Sequence, residues 1–401
     1  MRLLFITTSN LATNPRLVKE LHLASSLKFD IDVIQFNLDN WSHSYTQQIK
    51  GNFSKVNFID IEAGRNPYIP WLMSTVLEKF FSLIPHPFLP LSWLSISLNK
   101  RAHLIQRQFG YIKNKPDLII AHNPGSFYPA MLFAKRFKSE FAIDVEDYHP
   151  GEMNDGRVTE RMKNLMRLVL PSAKYVSFAS KLILEQVKSD ILDSDLSLNN
   201  PTLIDNLFSK EEFVLKNIYV LDQHKLNFVW FSQNIDYSRG LESIFTLLDN
   251  FGNDISLTLI GNGREEFFQK EITRRNYIRV EQPMAQYKLH SILSNFDIGL
   301  TLETKTADYN RDICLTNKIW SYLQSGIYIL ASSTSAQKDF IMEFSSHGEV
   351  LIDNKEQSKL QIKELIKKKE QLRQGLSKRR LLNESVNWEN ESIKLISIWK
   401  K

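Results

Sequence analysis

Short apolar segments alternate with segments of helical periodicity along most of the chain, and this alternation limits the fold more than any other feature. Strand-like runs occur in a first series at 3–7, 31–36, 56–61, 118–121, 141–145 and 175–179, and in a second series at 227–231, 255–260, 297–302 and 327–331. Apolar runs of this length, separated by helices, are typical of strands that are buried on both faces of a parallel sheet. The pattern therefore predicts an α/β protein.

The chain is long enough for two domains. Its 401 residues exceed the ~250–300 residues at which a single core stops growing. A polar segment at 190–204 separates the two series of strands. We therefore expect an N-terminal Rossmann-like domain at 1–195 and a C-terminal Rossmann-like domain at 203–380.

A final helix is expected at 385–401. Four apolar residues there have helical spacing and would form one stripe: Trp388, Ile393, Ile396 and Trp399. Because such a stripe must be covered, we expect this helix to cross back and pack on the N-terminal domain.

Composition narrows the classes of partner. The content of hydrophobic residues (43%) and charged residues (24%) suits a folded chain that does not span a membrane. The net charge of +5 either favours anionic ligands, such as nucleotide phosphates or acidic lipids, or only keeps the surface soluble. The sequence has no recognised nucleic-acid motif or long basic run, so we expect no nucleic-acid partner. A single cysteine, Cys314, and the lack of a visible export signal predict a cytoplasmic protein.

The segment 69–98 is unusually rich in Trp, Phe, Leu and Pro. Glu78 and Lys79 interrupt it, and its prolines would break the backbone hydrogen bonding that lipid demands, so it does not predict a spanning helix. Two interpretations stay open. The segment is either a buried helix pair at the edge of the domain or an interfacial segment, which would place residues 69–107 on the inner leaflet of a membrane.

The strongest local signal is the segment 310–332, NRDICLTNKIWSYLQSGIYILAS. Thr316 is a good N-cap, Gly326 would end the helix that follows, and a buried strand comes directly after. The free N–H groups and positive dipole end of such a helix suit a diphosphate, and Lys318 adds a positive charge in the first turn. An ordinary capped helix of an alternating fold is the alternative.

This segment resembles the donor-binding motif of GT-B glycosyltransferases, especially those related to family 4, in which an Asn-Lys pair opens a helix that ends at a small residue and Gly. Other stretches follow in the order of that family: TNPRLVKE at 13–20, AHNP at 121–124, DVEDYH at 144–149, FSQNIDYSRG at 231–240 and LIGNG at 259–263. The resemblance spans most of the chain up to about residue 340. It implies a GT-B fold, with two Rossmann-like domains that face a central cleft and bind a nucleotide sugar.

On the donor side, the resemblance places Arg239 on the diphosphate, where an arginine can pair with phosphate through two hydrogen bonds. Asn317 and Lys318 are the Asn-Lys pair. A second basic residue of the family falls at Asn234, so half of the usual clamp is missing.

The family's ribose-holding Glu falls at Ser321, and its paired Glu is missing as well. Glu303 is the nearest carboxylate at a strand end and could compensate in part if its loop folds back. We interpret Gly261 and Gly263 as a tight turn from strand to helix near the donor. Either this chain holds its donor differently, or its activity has been lost.

Candidate catalytic residues follow two strands of the first series. His122 ends a buried strand, so it should emerge at the carboxyl edge of the sheet, where such folds bind ligands. The resemblance implies that it hydrogen-bonds the reacting sugar; a structural histidine is the alternative. Asp144, Glu146 and His149 belong to an acidic cluster after the next strand, which could bind acceptor hydroxyls or serve as a base. A metal site there is conceivable, but a GT-B enzyme implies none.

The loop after the first strand differs from that of many relatives, which carry a Gly-rich turn beside the acceptor. Here Pro15 suits the first turn of a helix. We expect Asn14 and Arg16 to line the cleft and to bind the acceptor together with His149.

The sequence thus predicts a hexosyltransferase that moves a sugar from a UDP- or GDP-sugar to a glycan or lipid-linked glycan, in bacterial cell-surface polysaccharide synthesis and without a cofactor. Positioning and charge neutralisation would drive the reaction. Family 4 implies retention at the anomeric carbon. Two alternatives stay open: a nucleotide-sugar 2-epimerase on the same fold, and a degenerate transferase that acts as a scaffold.

Overall fold

A computed structural model describes residues 1–38, 40–192, 195–214, 219–304 and 307–401. The chain forms two compact units. Unit 1 comprises Met1–Ile204 and Lys394–Lys401, and unit 2 comprises Asp205–Ile393. Each unit is built on one parallel sheet, so the predicted α/β class is confirmed.

The strands of unit 1 are β1 (Arg2–Thr7), β2 (Asp30–Asn37), β3 (Val56–Glu62), β4 (Leu118–His122), β5 (Glu140–Val145), β6 (Tyr175–Phe178) and β7 (Pro201–Leu203). They form a seven-stranded sheet in the order β3-β2-β1-β4-β5-β6-β7, and neighbouring strands run parallel. The strand order reverses between β1 and β4. Loops diverge at such a reversal and leave room for a ligand at the carboxyl edge.

The helices of unit 1 are α1 (Pro15–Ser26), α2 (Ser42–Gly51), α3 (Tyr68–Leu83), α4 (Leu91–Leu98), α5 (Arg101–Gln106), α6 (Pro124–Phe137), α7 (Gly156–Val169) and α8 (Lys181–Asp190). The start of α1 follows from its sequence, because Pro15 is the first residue and the Asn14 side chain accepts a hydrogen bond from the N–H of Leu17. Among the described helices, none is long and apolar enough to cross a bilayer.

The strands of unit 2 are β8 (Leu226–Ile235), β9 (Ile255–Gly263), β10 (Ile278–Glu281), β11 (Ile298–Thr301), β12 (Tyr328–Ala331) and β13 (Gly348–Val350). Their order is β10-β9-β8-β11-β12-β13, with a reversal between β8 and β11. Phe228 and Trp230 join one buried cluster, whereas Val229 between them joins another. Alternate residues of β8 thus fill the cores on the two faces of the sheet.

The helices of unit 2 are α9 (Leu241–Leu248), α10 (Glu265–Phe267), α11 (Gln286–Leu293), α12 (Tyr309–Ile313), α13 (Asn317–Ser325), α14 (Ser335–Glu343), α15 (Lys355–Lys367), α16 (Lys369–Arg380) and the first half of α17 (Trp388–Trp399). The predicted helix after Thr316 is confirmed as α13, and Gly326 ends it in the left-handed conformation, with a φ of 78°. The expected cap is not made. The Thr316 hydroxyl is buried and has no hydrogen-bond partner in the described part of the chain.

The tight turn predicted at Gly261 and Gly263 is wrong. Both glycines belong to β9, which continues alongside β8 past a β-bulge. A Cβ atom on Gly261 would lie 2.3 Å from the carbonyl oxygen of Ser232. Strand β8 therefore approaches β9 so closely that no residue with a side chain fits at position 261.

The end of α17 belongs to unit 1. The ring of Trp399 lies 6.4 Å from that of Phe5, edge to face, and its indole N–H donates a hydrogen bond of 2.9 Å to the Tyr175 hydroxyl. Trp399 is buried. It therefore anchors the C-terminal helix in the core of unit 1.

Replacing Trp399 with alanine should lower the free energy of unfolding by about 3–5 kcal/mol, because a large buried side chain is lost. Urea unfolding followed by far-UV circular dichroism measures the change. The control is Ile393→Ala on the same helix, where the side chain is exposed and the expected change is within ~0.5 kcal/mol. Equal losses in the two variants would contradict an anchoring role.

Candidate functional site

His122 lies at the carboxyl edge of the unit 1 sheet, where the sequence places it. It ends β4 and is paired in register with Thr7 of β1 on one side and Asp144 of β5 on the other. This is the point at which the strand order reverses. Side chains at the ends of these strands are therefore gathered at the edge that binds ligands in such sheets.

Four charged side chains meet there in what we call the buried ionic cluster: Arg16, Glu20, His122 and Asp144. The two nitrogens of His122 face different carboxylates, with Nε2 3.4 Å from Glu20 Oε2 and Nδ1 3.4 Å from Asp144 Oδ2. Arg16 Nε lies 2.6 Å from the same Asp144 oxygen. All four side chains are buried, and each lies within 3.4 Å of a group that can carry the opposite charge.

The cluster shifts the titration of its members. Burial alone would lower the pKa of His122, but the carboxylates of Glu20, Asp144 and Glu146 outweigh it and raise that pKa well above its usual value. Burial would raise the pKa of Asp144, but Arg16 and then His122 hold it far below its usual range. His122 is thus kept protonated and Asp144 ionised.

The other acidic residue predicted to be catalytic is more accessible. Glu146 Oε1 lies 3.8 Å from His122 Nδ1, and 26% of its side chain is exposed. Asp144, in contrast, is fully buried and also accepts a hydrogen bond of 2.5 Å from the Ser177 hydroxyl. Glu146 is therefore the carboxylate of this pair that a ligand can reach.

The three residues expected to bind the acceptor lie near this edge but are buried. Asn14 caps α1, and its Nδ2 has no hydrogen-bond partner among the described residues. Arg16 does not line a surface, because its guanidinium is taken up by Asp144 and by the carbonyl of Ile204, at 2.6 Å. His149 Nδ1 lies 2.9 Å from Glu152 Oε2.

Glu20, His122 and Asp144 are also close enough together to suit a metal ion. However, the two carboxylates face opposite nitrogens of one imidazole, and Asp144 is already paired with Arg16. A single cation would have to displace these ion pairs. The residues fit a chain of ion pairs better than a metal centre.

In unit 2, a second charged group lies where the strand order reverses between β8 and β11. Glu303, two residues beyond β11, accepts a hydrogen bond of 2.8 Å from Arg311 Nη1, and its other oxygen lies 3.6 Å from Lys318 Nζ. Gly240 has a φ of 76°, and a Cβ atom at this position would lie 3.1 Å from the Cβ atom of Leu302. This contact brings Arg239 to the end of β11, beside the other two cations.

This cationic group contains three positive side chains, Arg239, Arg311 and Lys318, and two carboxylates, Glu303 and Asp308, the second of which lies 3.8 Å from Arg311 Nε. Burial lowers the pKa of Lys318; Glu303 opposes this effect, and the charges of Arg239 and Arg311 lower the pKa further. Arg239 has no hydrogen-bond or ion-pair partner in the described part of the chain. An anion with several oxygens would relieve the repulsion.

The positions expected to hold the nucleoside have other partners. Asn317 Oδ1 accepts a hydrogen bond from Asn206. The Ser321 hydroxyl lies 3.0 Å from His290 Nε2, and His290 Nδ1 lies 2.8 Å from Glu212 Oε2. The Ser321 hydroxyl also donates a hydrogen bond of 3.1 Å to the Asn317 carbonyl, and these contacts fix its direction.

Asn234 lies apart on the exposed end of β8, opposite Asn262 of β9. The described residues show no basic side chain at this position. Arg311, on α12, is the arginine that pairs with Glu303.

Sequence analysis missed three residues of these groups. Glu20 is one helical turn after Arg16, a spacing that puts both on one face of α1. Arg311 lies within the segment that carries the strongest signal, but nothing in the pattern distinguished it from a solvated arginine. His290 gave no signal, because its contact with Ser321 joins residues that are far apart in sequence.

The whole chain has similar solved structures. HepE of Anabaena in complex with UDP superposes with a TM-score of 0.69 at 11% identity, over 100% of both chains. Sucrose-phosphate synthase from Thermosynechococcus elongatus gives 0.68 at 12% identity, over 100% of this chain and 98% of that one. TarM of S. aureus, in complex with Fondaparinux, alpha-GlcNAc-glycerol and UDP, gives 0.64 at 10% identity, over 100% of both.

No protein-family model matches the sequence, and no curated protein does. At these identities the structural likeness establishes the fold alone. The chain has the GT-B fold, with one seven-stranded and one six-stranded parallel sheet.

The buried ionic cluster predicts a stability that depends on pH. Because the pKa of His122 is higher in the folded protein than in the unfolded chain, where it is about 6.5, its contribution is complete below that pH and is lost as pH rises through the raised value. The difference in free energy of unfolding between wild type and His122→Gln should therefore shrink in alkaline solution. Urea unfolding at a series of pH values measures it.

The matched control is His22→Gln, because burial lowers the pKa of His22. His22 is neutral in both states more than about one pH unit above the usual histidine pKa of about 6.5, so the difference in free energy of unfolding between wild type and His22→Gln should stay constant in alkaline solution. A His122→Gln difference that is equally constant would show that His122 carries no charge in the folded protein.

Proposed function

We propose that the protein is a glycosyltransferase that transfers a sugar from a nucleotide-diphosphate donor to a hydroxyl of a glycan or lipid-linked glycan. The observation that carries this proposal is the cationic group at the end of β11: Arg311 and Lys318 pair with Glu303, Arg311 also lies 3.8 Å from Asp308, and Arg239 is close enough to lower the pKa of Lys318. It lies beside the N-terminus of α13, a helix of nine residues. Both features favour an anion.

The departing nucleoside diphosphate gains negative charge as the sugar leaves. Three positive side chains and the free N–H groups of a helix start would stabilise that charge at the moment it forms, with little reorganisation. Glu303 keeps Arg311 and Lys318 in place before the donor arrives. UDP in the structures of HepE and TarM supports a uridine nucleotide as the first donor to test.

In unit 1, Glu146 is the proposed base or acceptor-binding carboxylate, because it is accessible and lies beside protonated His122. The buried ionic cluster would fix the position of this edge. We further propose a hexosyl donor, retention at the anomeric carbon and a role in bacterial cell-surface polysaccharide synthesis, which the resemblance to family 4 supports. The reaction would take place on the cytoplasmic face of a membrane.

Replacing Arg239 or Lys318 with alanine should weaken UDP binding by about tenfold or more, since a hydrogen bond to a charged group contributes ~1.5–3 kcal/mol. Isothermal titration calorimetry measures the affinity. Arg274→Ala is the matched control, because 64% of that side chain is exposed and its ion pair is with Glu271. Unchanged affinity in either variant would remove that residue from the donor site.

A donor screen separates the proposal from its alternatives. Purified protein is incubated with UDP-, GDP-, ADP- and CMP-sugars, with and without free and lipid-linked glycan acceptors, and nucleotide release is measured. Release that needs an acceptor is the expected result. Release of UDP from UDP-GlcNAc without an acceptor, together with an altered free sugar, would identify a 2-epimerase. No thermal stabilisation by any nucleotide would identify a scaffold.

A further inference from the structure

We propose that α3 is a docking surface for an anionic lipid bilayer. The helix carries six apolar side chains that are 39% to 82% exposed: Ile69, Leu72, Met73, Val76, Phe80 and Leu83. Their spacing places them within roughly 100° of the helix circumference. In a helix that faces water on one side, such a stripe is normally the buried side. Here it faces outward.

The opposite side of α3 holds the helix on unit 1. Phe81 is buried and stacks on Trp93 of α4, with ring centroids 4.7 Å apart. The carboxylate of Glu78 accepts a hydrogen bond of 2.8 Å from the backbone N–H of Lys100. The helix therefore has a packed side of its own, and the exposed stripe is additional to it.

The C-terminal end of α3 is also fixed. Arg161 of α7 is buried and donates hydrogen bonds to the carbonyl groups of Phe81, Ser82 and Ile84, at 3.1, 2.8 and 2.6 Å. These bonds satisfy carbonyls that the end of a helix leaves free. A helix held in this way presents its stripe as a rigid surface.

The surface continues beyond the helix. Phe88 is 78% exposed and Trp93 is 43% exposed. Aromatic side chains of this kind prefer the boundary between lipid and water. The helix pair of the first interpretation is present as α3 and α4, but its outer side stays apolar and exposed, which is what the interfacial interpretation requires.

The charge around the stripe identifies the occupant. Residues 65–107 contain five basic side chains and one acidic side chain, Glu78, which already bonds to Lys100. Arg65, Lys79 and Arg107 are exposed. An apolar stripe flanked by positive charge complements a membrane with anionic headgroups. A second copy of the chain on the same face would bring like charges together.

This inference names the partner for the membrane location proposed above. The inference rests on the proposed function only for the reason that the protein would bind a membrane. The contacts that support it lie within unit 1 and do not depend on that function. Membrane binding and nucleotide binding can therefore be measured separately, and each can fail without the other.

The test is cosedimentation of the full-length protein with vesicles of phosphatidylcholine, with and without phosphatidylglycerol. We expect binding that requires phosphatidylglycerol. The variant Val76→Asn/Phe80→Ser/Leu83→Ser should bind at least about tenfold more weakly, since three side chains lose their burial in lipid. The matched control changes three equally exposed apolar residues of unit 2, as Met342→Gln/Leu360→Ser/Leu381→Ser, and should bind like the wild type.

A second variant, Arg65→Glu/Lys79→Glu, keeps the apolar stripe, and its binding to vesicles should no longer depend on phosphatidylglycerol. This variant also tests the inference if the first variant does not fold. The inference is overturned if the wild type does not bind vesicles, binds both compositions equally, or binds as strongly after the stripe is changed. A wild-type dimer by light scattering that the stripe variant converts to a monomer would assign the surface to a second copy instead. Stabilisation by UDP, measured in every variant, reports on the proposed function alone.

Discussion

Parallel pairing of the strands is the constraint on which the rest of the structure depends. Because neighbouring strands run in the same direction in both sheets, the loops that follow them meet at one edge of each sheet. His122 and Asp144 are brought together in this way in unit 1, as are Gly240 and Leu302 in unit 2, which are the chain neighbours of Arg239 and Glu303. In each unit, the charged group lies where the strand order reverses.

The two charged groups differ in how their charge is balanced. In the buried ionic cluster, Arg16 and protonated His122 face Glu20 and Asp144, so the group is closed and its main effect is to fix the edge of the sheet. In the cationic group of unit 2, three cations, Arg239, Arg311 and Lys318, have two carboxylates, Glu303 and Asp308. A group with unbalanced charge is stabilised by a ligand, whereas a balanced one is stable alone. This contrast is why the proposed donor chemistry is assigned to unit 2.

Part of the fold and of the site could be predicted from the sequence. Short apolar runs identified ten of the thirteen strands among the described residues, because burial on both faces leaves a clear signal. The strands β7 and β13 have only three residues each, and β10 contains the charged Arg279 and Glu281 among its four. Helix α13 was found from its terminal residues, but the failure of Thr316 to cap it was not, because the direction of a side chain depends on neighbours that are distant in sequence. The same reason explains why Arg311 and His290 were missed.

The sequence by itself determined the α/β class, the two series of strands and the position of His122 at the end of β4, since all of these follow from local apolar periodicity and the direction of the chain. Only the tertiary structure decided which charges are balanced. The sequence predicted that Arg16 binds the acceptor. Instead, Arg16 is buried against Asp144 and Ile204, which are more than a hundred residues away in sequence. The stripe on α3 shows the same limit: periodicity predicts that one side of a helix is apolar, but the contacts of Phe81, Glu78 and Arg161 decide that this side faces outward.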